Sequence, residues 1–438
     1  MFANLLYTIA LLLLSPLIVY RMLRHGRYRR GVREKLIGIS QSQAATLTQG
    51  KPTLWLHAVS VGEVNLLGDL VKRLQRQYPE HRILVSSSTD TGHELATKRF
   101  GADQVFFCPL DFSWAVARTI RHLQPSLLVL AELELWPNLV QIATQHDCPV
   151  MVVNARLSER SAAGYQRFGF LTQSTFARLA WVGCQNEQAA KRFLDCGTPA
   201  EKIAVTGSIK FDNAPSDRET LEVQSRIQWS GLDPWNRVWV VGSTQPGEEA
   251  MALEIYNALT PSHPELRLVL VPRHVERFDA VANLVEGAGL NVHRRSIAPS
   301  LHDTHWRADT VILVDTIGEL RHWWGLSQIA TVGGSFGSRG GQNMLEPAGY
   351  GSAVSFGPDT RNFKEIANQL VAQGGAVRVA DAAELRQFVE QCLTDIPAAD
   401  ALGRTARRVI AEHQGATERT LDALQAPLRA SQPQRRAA

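Results

Sequence analysis

The chain has 438 residues, room for two or three domains, and its 45% apolar and 20% charged shares are those of an ordinary globular protein. Its net charge of +4 is local: residues 21–35 carry Arg21, Arg24, Arg27, Arg29, Arg30, Arg33 and Lys35 against Glu34, a +6 segment, so the rest of the chain stands at 4 − 6 = −2. This argues against a nucleic-acid-binding surface, and five scattered cysteines (Cys108, Cys148, Cys184, Cys196, Cys392) with no Cys-x-x-Cys pair argue against a disulfide framework or a zinc site.

Residues 2–20 are uncharged, and as a helix they would span about 28 Å, close to the hydrocarbon thickness of a bilayer. No positive charge precedes them and no small-residue cleavage site follows, which is not the pattern of a signal peptide. With the basic cluster directly behind, residues 1–35 read as a membrane anchor with a juxtamembrane segment, kinked at Pro16. The positive-inside rule puts residue 21 onward in the cytoplasm, with the arginines near anionic head groups. Residues 36–52 are Gln/Ser/Thr-rich and read as a linker opening the next domain.

A β/α alternation follows. Apolar runs at 53–58, 82–87, 104–107, 126–131, 149–153, 180–183 and 203–206 alternate with helical patterns such as 63–77, 92–100, 113–123, 136–146 and 186–196. This predicts a parallel sheet covered on both faces. The pattern pauses around 211–236 and restarts with runs at 238–241, 266–271, 290–293, 310–314, 328–332, 353–356 and 376–379. The expected organisation is an α/β protein of two doubly wound, Rossmann-like domains, 36–217 and 218–425, facing a cleft where ligands bind, with a frayed tail at 426–438.

The residues able to carry chemistry stand at strand ends. Glu63, in His57-Ala-Val-Ser-Val-Gly-Glu63, is placed both to favour its helix dipole and to take a proton. Glu132 and Glu134 follow a fully apolar strand, where acids usually have partners or shifted pKa values. Lys210, in Gly207-Ser-Ile-Lys-Phe-Asp212, reads equally as a site lysine and as half of a surface ion pair. Arg273 is a candidate phosphate clamp. Gly318 permits close backbone approach, and Glu319 is placed to cap a helix. The stretch Thr331-Val-Gly-Gly-Ser-Phe-Gly-Ser-Arg-Gly-Gly-Gln-Asn343-Met-Leu-Glu346-Pro joins a glycine loop to a helix start. Its glycines would let backbone N–H groups approach a ligand, and Asn343 and Glu346 would share one face, suiting a nucleotide sugar. There is no Asp-x-Asp, His-Glu-x-x-His or P-loop motif, so no metal is indicated; a donor with a single phosphate fits this inventory.

Taken together, His57–Glu63, Glu132-Leu-Glu-Leu-Trp-Pro-Asn138, Asn154-Ala-Arg-Leu-Ser158, Gln185-Asn-Glu187, Gly207–Asp212, Pro272-Arg-His274, Gly318-Glu-Leu320 and Asn343–Pro347 resemble the 3-deoxy-D-manno-oct-2-ulosonic acid (Kdo) transferases of lipopolysaccharide assembly. The resemblance runs from the N-terminus to about residue 365. It implies the GT-B two-domain glycosyltransferase fold, CMP-Kdo as donor, no cofactor or metal, and transfer to the lipid A precursor (lipid IVA) at the cytoplasmic face of the inner membrane. It further implies Glu63 as general base and Glu132 and Lys210 as transition-state stabilisers. Pro272, Arg273, Ile317, Gly318, Glu319, Asn343, Met344, Leu345 and Glu346 would form the CMP-binding segments. Two positions depart from the family pattern: Gln245 and Gln342 stand where it usually has His. A related anchored transferase using another CMP-linked octulosonate is the nearest alternative. A membrane-anchored dinucleotide oxidoreductase would need Gly-x-Gly-x-x-Gly after the first strand, where Val-Ser-Val-Gly-Glu stands instead.

Overall fold

The computed structural model describes residues 2–25, 29–297 and 309–431. The chain forms two units, Met1–Asp212 with Gln414–Ala438, and Asn213–His413. In the first, β1 (Thr53–His57), β2 (Arg82–Ser87), β3 (Val105–Phe107), β4 (Pro125–Ala131), β5 (Val150–Ala155), β6 (Trp181–Cys184) and β7 (Ile203–Val205) form a sheet of order β3-β2-β1-β4-β5-β6-β7. Its strand pairs are parallel. Both faces are covered: Trp55 packs with Phe106, Leu128 and Val152 in one cluster, while its neighbours Leu54 and Leu56 join Leu127 and Val129 in another. That double burial is why these strands read as unbroken apolar runs.

The second unit repeats the plan with β8 (Arg237–Thr244), β9 (Leu266–Pro272), β10 (Asn291–Arg294), β11 (Thr310–Leu313), β12 (Ile329–Val332), β13 (Ala353–Phe356) and β14 (Ala376–Arg378), in the order β10-β11-β9-β8-β12-β13-β14. These pairs are parallel too. In each sheet the order reverses beside the first strand, between β1 and β4 and between β8 and β12. Such switch points open the crevices in which doubly wound sheets hold ligands.

Three expectations about the chain's organisation change. First, residues 36–52 are not a linker. Helices α2 (Val32–Ile37) and α3 (Gln41–Thr48) pack on the first unit, where Ile39, Ala44 and Leu47 are buried in the core. A few apolar side chains in a polar stretch suffice for this. Second, the C-terminal unit ends at His413 rather than 425. The helix Ala416–Ser431 belongs to the first unit: Leu421, Leu424 and Leu428 enter its core, and the Asp212 carboxylate accepts N–H bonds from Gly415, Ala416 and Thr417. The expected frayed tail is therefore helical through Pro427 to Ser431; residues 432–438, like Arg27, lie outside the described residues.

Third, residues 2–20 do fold as a helix, α1 (Phe2–His25), but among the described residues no helix is long and apolar enough to cross a membrane. Its first turns instead dock on the first unit. Tyr7 Oη donates to Asp111 at 2.9 Å, Asn4 Nδ2 donates to Ser113 Oγ at 2.6 Å, and the Tyr7 ring meets Phe112 edge-on. Beyond its other end Arg30 pairs with Glu94, and the Glu34 carboxylate accepts from Phe107 N at 2.7 Å. Leu5, Ile9, Leu12, Leu13, Leu14 and Leu17 remain exposed along α1.

Candidate functional site

In the first unit the expected catalytic side chains flank the β1/β4 switch point. Ser60 caps helix α4 (Val61–Gln77), its hydroxyl oxygen accepting from Glu63 N. Glu63 folds back in a capping-box arrangement, accepting from Val59 N at 2.8 Å and from the Ser60 hydroxyl at 2.9 Å. Burial pushes its carboxyl above the ordinary range, and Glu132 adds to this, against the pull of the Val59 and Ser60 donors and of Lys210. A half-buried carboxylate with a raised pKa, held by two local bonds, suits a general base. The sequence offered a helix cap or a base; the geometry accommodates both.

Glu132 follows β4 with φ at +57°, and Asn154 closes β5 at +53°. Positive φ at non-glycine residues costs about 1–3 kcal/mol and concentrates at functional sites. Glu132 pairs with Lys210, whose Nζ lies 3.2 Å from Oε1. Lys210 comes from beyond the edge strand β7, and Asn154 brings it in: its Oδ1 accepts from Ile209 N at 3.1 Å and from Ser208 Oγ at 3.2 Å. Asn154 is a site-building residue that sequence reasoning left without a role. Its signal, a polar residue ending an apolar run, was present but not specific. Glu134 accepts from Trp136 Nε1 at 2.9 Å, and burial, with Glu63 and Glu132 nearby, raises its pKa. His57, which opens the motif, is fully buried; burial lowers its pKa to about 4, and Nδ1 lies 2.8 Å from Ser86 Oγ. It is neutral at physiological pH.

The second unit corrects the expectation for the glycine loop. Three of its N–H groups, those of Gly334, Ser335 and Phe336, do not await a ligand, because the Glu248 carboxylate already fills them. Oε2 accepts from Gln245 N and Gly334 N, both at 2.8 Å, and Oε1 from Ser335 N at 3.1 Å and Phe336 N at 3.2 Å. Gly333 is required by this approach: a Cβ there would lie 2.7 Å from Glu248 Oε2. Glu249 is equally committed, in a two-pronged pair with Arg277 at 2.7 and 2.8 Å. Burial would raise the Asp315 carboxyl, but the Ser296 hydroxyl and Arg294 outweigh it and hold it low.

The remaining donor-site candidates divide. Asn343 Nδ2 donates to Glu346 Oε1 at 3.2 Å, and its Oδ1 accepts from Leu345 N at 3.1 Å, as the spacing anticipated. Burial raises the Glu346 pKa, against the charges of Arg321 and Arg273 and the Asn343 hydrogen bond. Arg273 is exposed just beyond β9, and Arg321 is an exposed cation the sequence reading missed, two residues past Glu319. Ile317 is 81% exposed at the end of β11, with Gly318 beside it at φ +86°. Pro272, Met344 and Leu345 are buried, so they shape the site through the backbone. Glu319 makes no side-chain cap; it pairs with Arg295 at 3.1 Å and Arg226 at 3.5 Å. Gln342 lies against the loop, its side chain 3.2 Å from where a Gly334 Cβ would sit. Among the described residues no group of three or more His, Cys, Asp or Glu side chains is arranged to hold a metal.

Residues 29–213 match the family model described as 3-Deoxy-D-manno-octulosonic-acid transferase (kdotransferase). The chain is 36% identical over 426 residues to the 3-deoxy-D-manno-octulosonic acid transferase of Haemophilus influenzae, covering 95% of this chain and 97% of that protein. It is 35% identical over 434 residues to that of Bordetella pertussis, covering 96% and 98%. Among solved structures it resembles the UDP-GlcNAc 2-epimerase of Neisseria meningitidis bound to UDP-GlcNAc, with a TM-score of 0.55 at 12% identity over 85% of this chain and 99% of that one. That likeness concerns the fold of two parallel-sheet α/β domains. The kinship to the transferases extends across both units, and the chain belongs to the 3-deoxy-D-manno-octulosonic acid (Kdo) transferase family.

Proposed function

We propose that this enzyme is an inverting, metal-independent glycosyltransferase that moves Kdo from CMP-Kdo to the lipid A precursor, lipid IVA. The observation that carries this reading is the trio at the β1/β4 switch point: Glu63 with its raised pKa, and the Glu132–Lys210 pair at 3.2 Å. Glu63 removes the proton from an acceptor hydroxyl. That oxygen forms a bond to the anomeric carbon of Kdo as the bond from this carbon to the CMP phosphate oxygen breaks, and CMP leaves with the electron pair. Lys210, oriented by Glu132, offers its charge to the anionic sugar as the transition state develops. Arg273 and Arg321, beside Asn343 and Glu346, form the basic part of the CMP site. A single phosphate leaving group met by guanidinium groups needs no bridging divalent ion.

The acceptor is a lipid, and α1 supports a membrane location on the cytoplasmic face of the inner membrane. Residues 4 and 7 near one end, and residues 30 and 34 beyond the other, bind the same unit. A spanning helix would place those ends on opposite sides of the bilayer. The exposed leucines of α1 suit a helix lying in one leaflet, with the exposed Arg24, Arg29 and Arg33 at the head groups. The test is incubation of membranes containing the protein with CMP-Kdo and tetraacyl lipid A precursor, products resolved by mass. Kdo added to the acceptor in the presence of EDTA is expected. No addition, or addition restored only by magnesium, contradicts the reading.

A further inference from the structure

The contacts of α1 extend past its own docking, to the loop that carries two of the site's carboxylates. Residues 132–136 run from Glu132 to helix α7 (Pro137–Gln145). At its start the loop is held by the sheet, Glu132 N donating to Val153 O at 3.0 Å. At its end it is held by one buried side chain, Asp111, from the segment between β3 and α6 (Ser113–Leu123). Asp111 Oδ2 accepts from Asn138 N at 3.0 Å and Oδ1 from Leu139 N at 2.7 Å. Asp111 is therefore the cap of α7, a helix whose own N-cap residue, Trp136, provides no side-chain cap.

The first turns of α1 complete this cap. Tyr7 Oη donates to Asp111 Oδ2, the oxygen that also receives Asn138 N. Asn4 Oδ1 accepts from Asn138 Nδ2 at 3.0 Å and from Ser113 N at 3.1 Å, while Asn4 Nδ2 donates to Ser113 Oγ. Two polar side chains in the first turns of α1 are thus spent on the end of the Glu132–Glu134 loop. Simple attachment of a greasy helix would need only apolar contact, such as that of Tyr7 with Phe112.

We infer that Asn4 and Tyr7 are positioning residues for transfer, acting through Asp111 and Asn138 to fix the loop that presents Glu132 to Lys210 and Glu134 to Trp136. The helix that meets the lipid surface thereby also sets the catalytic loop. The inference rests on the transferase reading above for the role of Glu132.

The full-length Tyr7→Phe and Asn4→Ala variants test it in detergent micelles holding CMP-Kdo and lipid A precursor, so that capture by a membrane does not limit the rate. Loss of one hydrogen bond to a buried carboxylate is expected to lower kcat about tenfold in Tyr7→Phe, leaving the KM for CMP-Kdo unchanged. Hydrogen exchange of the amides in 132–139 is expected to quicken alongside, while the amides of β1 and β4 keep their protection. A kcat within twofold of the wild type overturns the inference, as does a rise in acceptor KM alone, which would make α1 a capture device. Slower turnover without faster exchange in 132–139 overturns it too. If the unaltered protein transfers no Kdo, the function proposed above fails instead; the exchange measurement then still decides whether α1 holds the loop.

Discussion

Two loops in this chain begin with nearly the same words and end in opposite roles. In the first unit Ser60-Val-Gly-Glu63 follows β1; in the second β8 ends in Ser243-Thr244 and Gln245-Pro-Gly-Glu248-Glu249 follows. Both glutamates stand in the first turn of a helix beside a switch point. Glu63 accepts from Val59 N and the Ser60 hydroxyl, stays half-buried, and keeps a raised pKa. Glu248 is 6% exposed and accepts from four backbone N–H groups, three of them from the loop after β12. The strand across the switch point makes the difference. After β4 the chain supplies Glu132, whose charge gives Glu63 no further donor and discourages its ionisation. After β12 it supplies glycines, whose N–H groups surround Glu248 and tie it down. A first-turn glutamate becomes reactive or structural according to what its neighbour offers.

The largest expected effect breaks the first half of this comparison. Glu63→Gln removes the base and is expected to reduce transfer by about 10²–10⁴-fold, with CMP binding and the thermal midpoint nearly unchanged, as single-turnover assays and nucleotide titration would record. Near wild-type turnover would remove Glu63 from the mechanism.

Glu248→Gln is expected to do the reverse. It leaves one oxygen for four donors and sets an NH₂ against the others, a cost of about 1–3 kcal/mol. Calorimetry should show a midpoint lower by several degrees, on the order of 2–4 °C per kcal/mol, accompanied by weaker CMP binding. A variant as stable as the wild type would mean that the glycine loop does not depend on Glu248.

A third prediction concerns pH. Burial lifts the Asp111 carboxyl from 3.8 to about 6, against the Asn138, Leu139 and Tyr7 donors. The native state therefore holds this proton at a pH where the unfolded chain has lost it. Asp111 contributes stability that is fully present below 3.8 and is lost as pH rises to about 6. Relative to Asp111→Asn, the unfolding free energy of the wild type should fall over that interval, as denaturant titrations at each pH would record. A wild-type profile that is flat or rises with pH would contradict the assignment.

The smallest effect belongs to Gln342, which packs on the loop at Gly334. Gln carries no titrating charge, so donor affinity should vary little between about pH 5.5 and 7.5, the window of an unperturbed His. Gln342→His should strengthen CMP-Kdo binding a fewfold as pH falls through that window. Identical binding profiles for the two proteins would place Gln342 away from the donor.

Much of this was legible in the chain. Strands buried on both faces leave uninterrupted apolar runs, so Ala353–Phe356 and Arg82–Ser87 emerge with their expected ends. The strand-end positions of Glu63, Glu132 and Arg273 follow from the same runs. What stayed hidden depends on partners distant in sequence. Nothing near Glu248 announces that residues 334–336 will fill its oxygens, and nothing near Lys210 names Asn154 as its support. The apolar stretch 2–20 showed a helix, but two of its polar residues, Asn4 and Tyr7, acquire meaning only against Asp111 and Asn138. The Leu421, Leu424 and Leu428 stripe showed a helix too, without saying which of two sheets it would cover.

The central claim is that Glu63 works as a base because burial, with the Glu132 charge added, outweighs the Val59 and Ser60 donors and Lys210 and keeps its proton affinity high. The most direct measurement is the pH dependence of kcat/KM for transfer from CMP-Kdo. The account predicts an acid limb of unit slope with its apparent pKa above 4.5, the ordinary glutamate value. That limb should be missing from the residual activity of Glu63→Gln. A wild-type profile that stays flat down to 4.5, or a limb that persists unchanged in the variant, would contradict it.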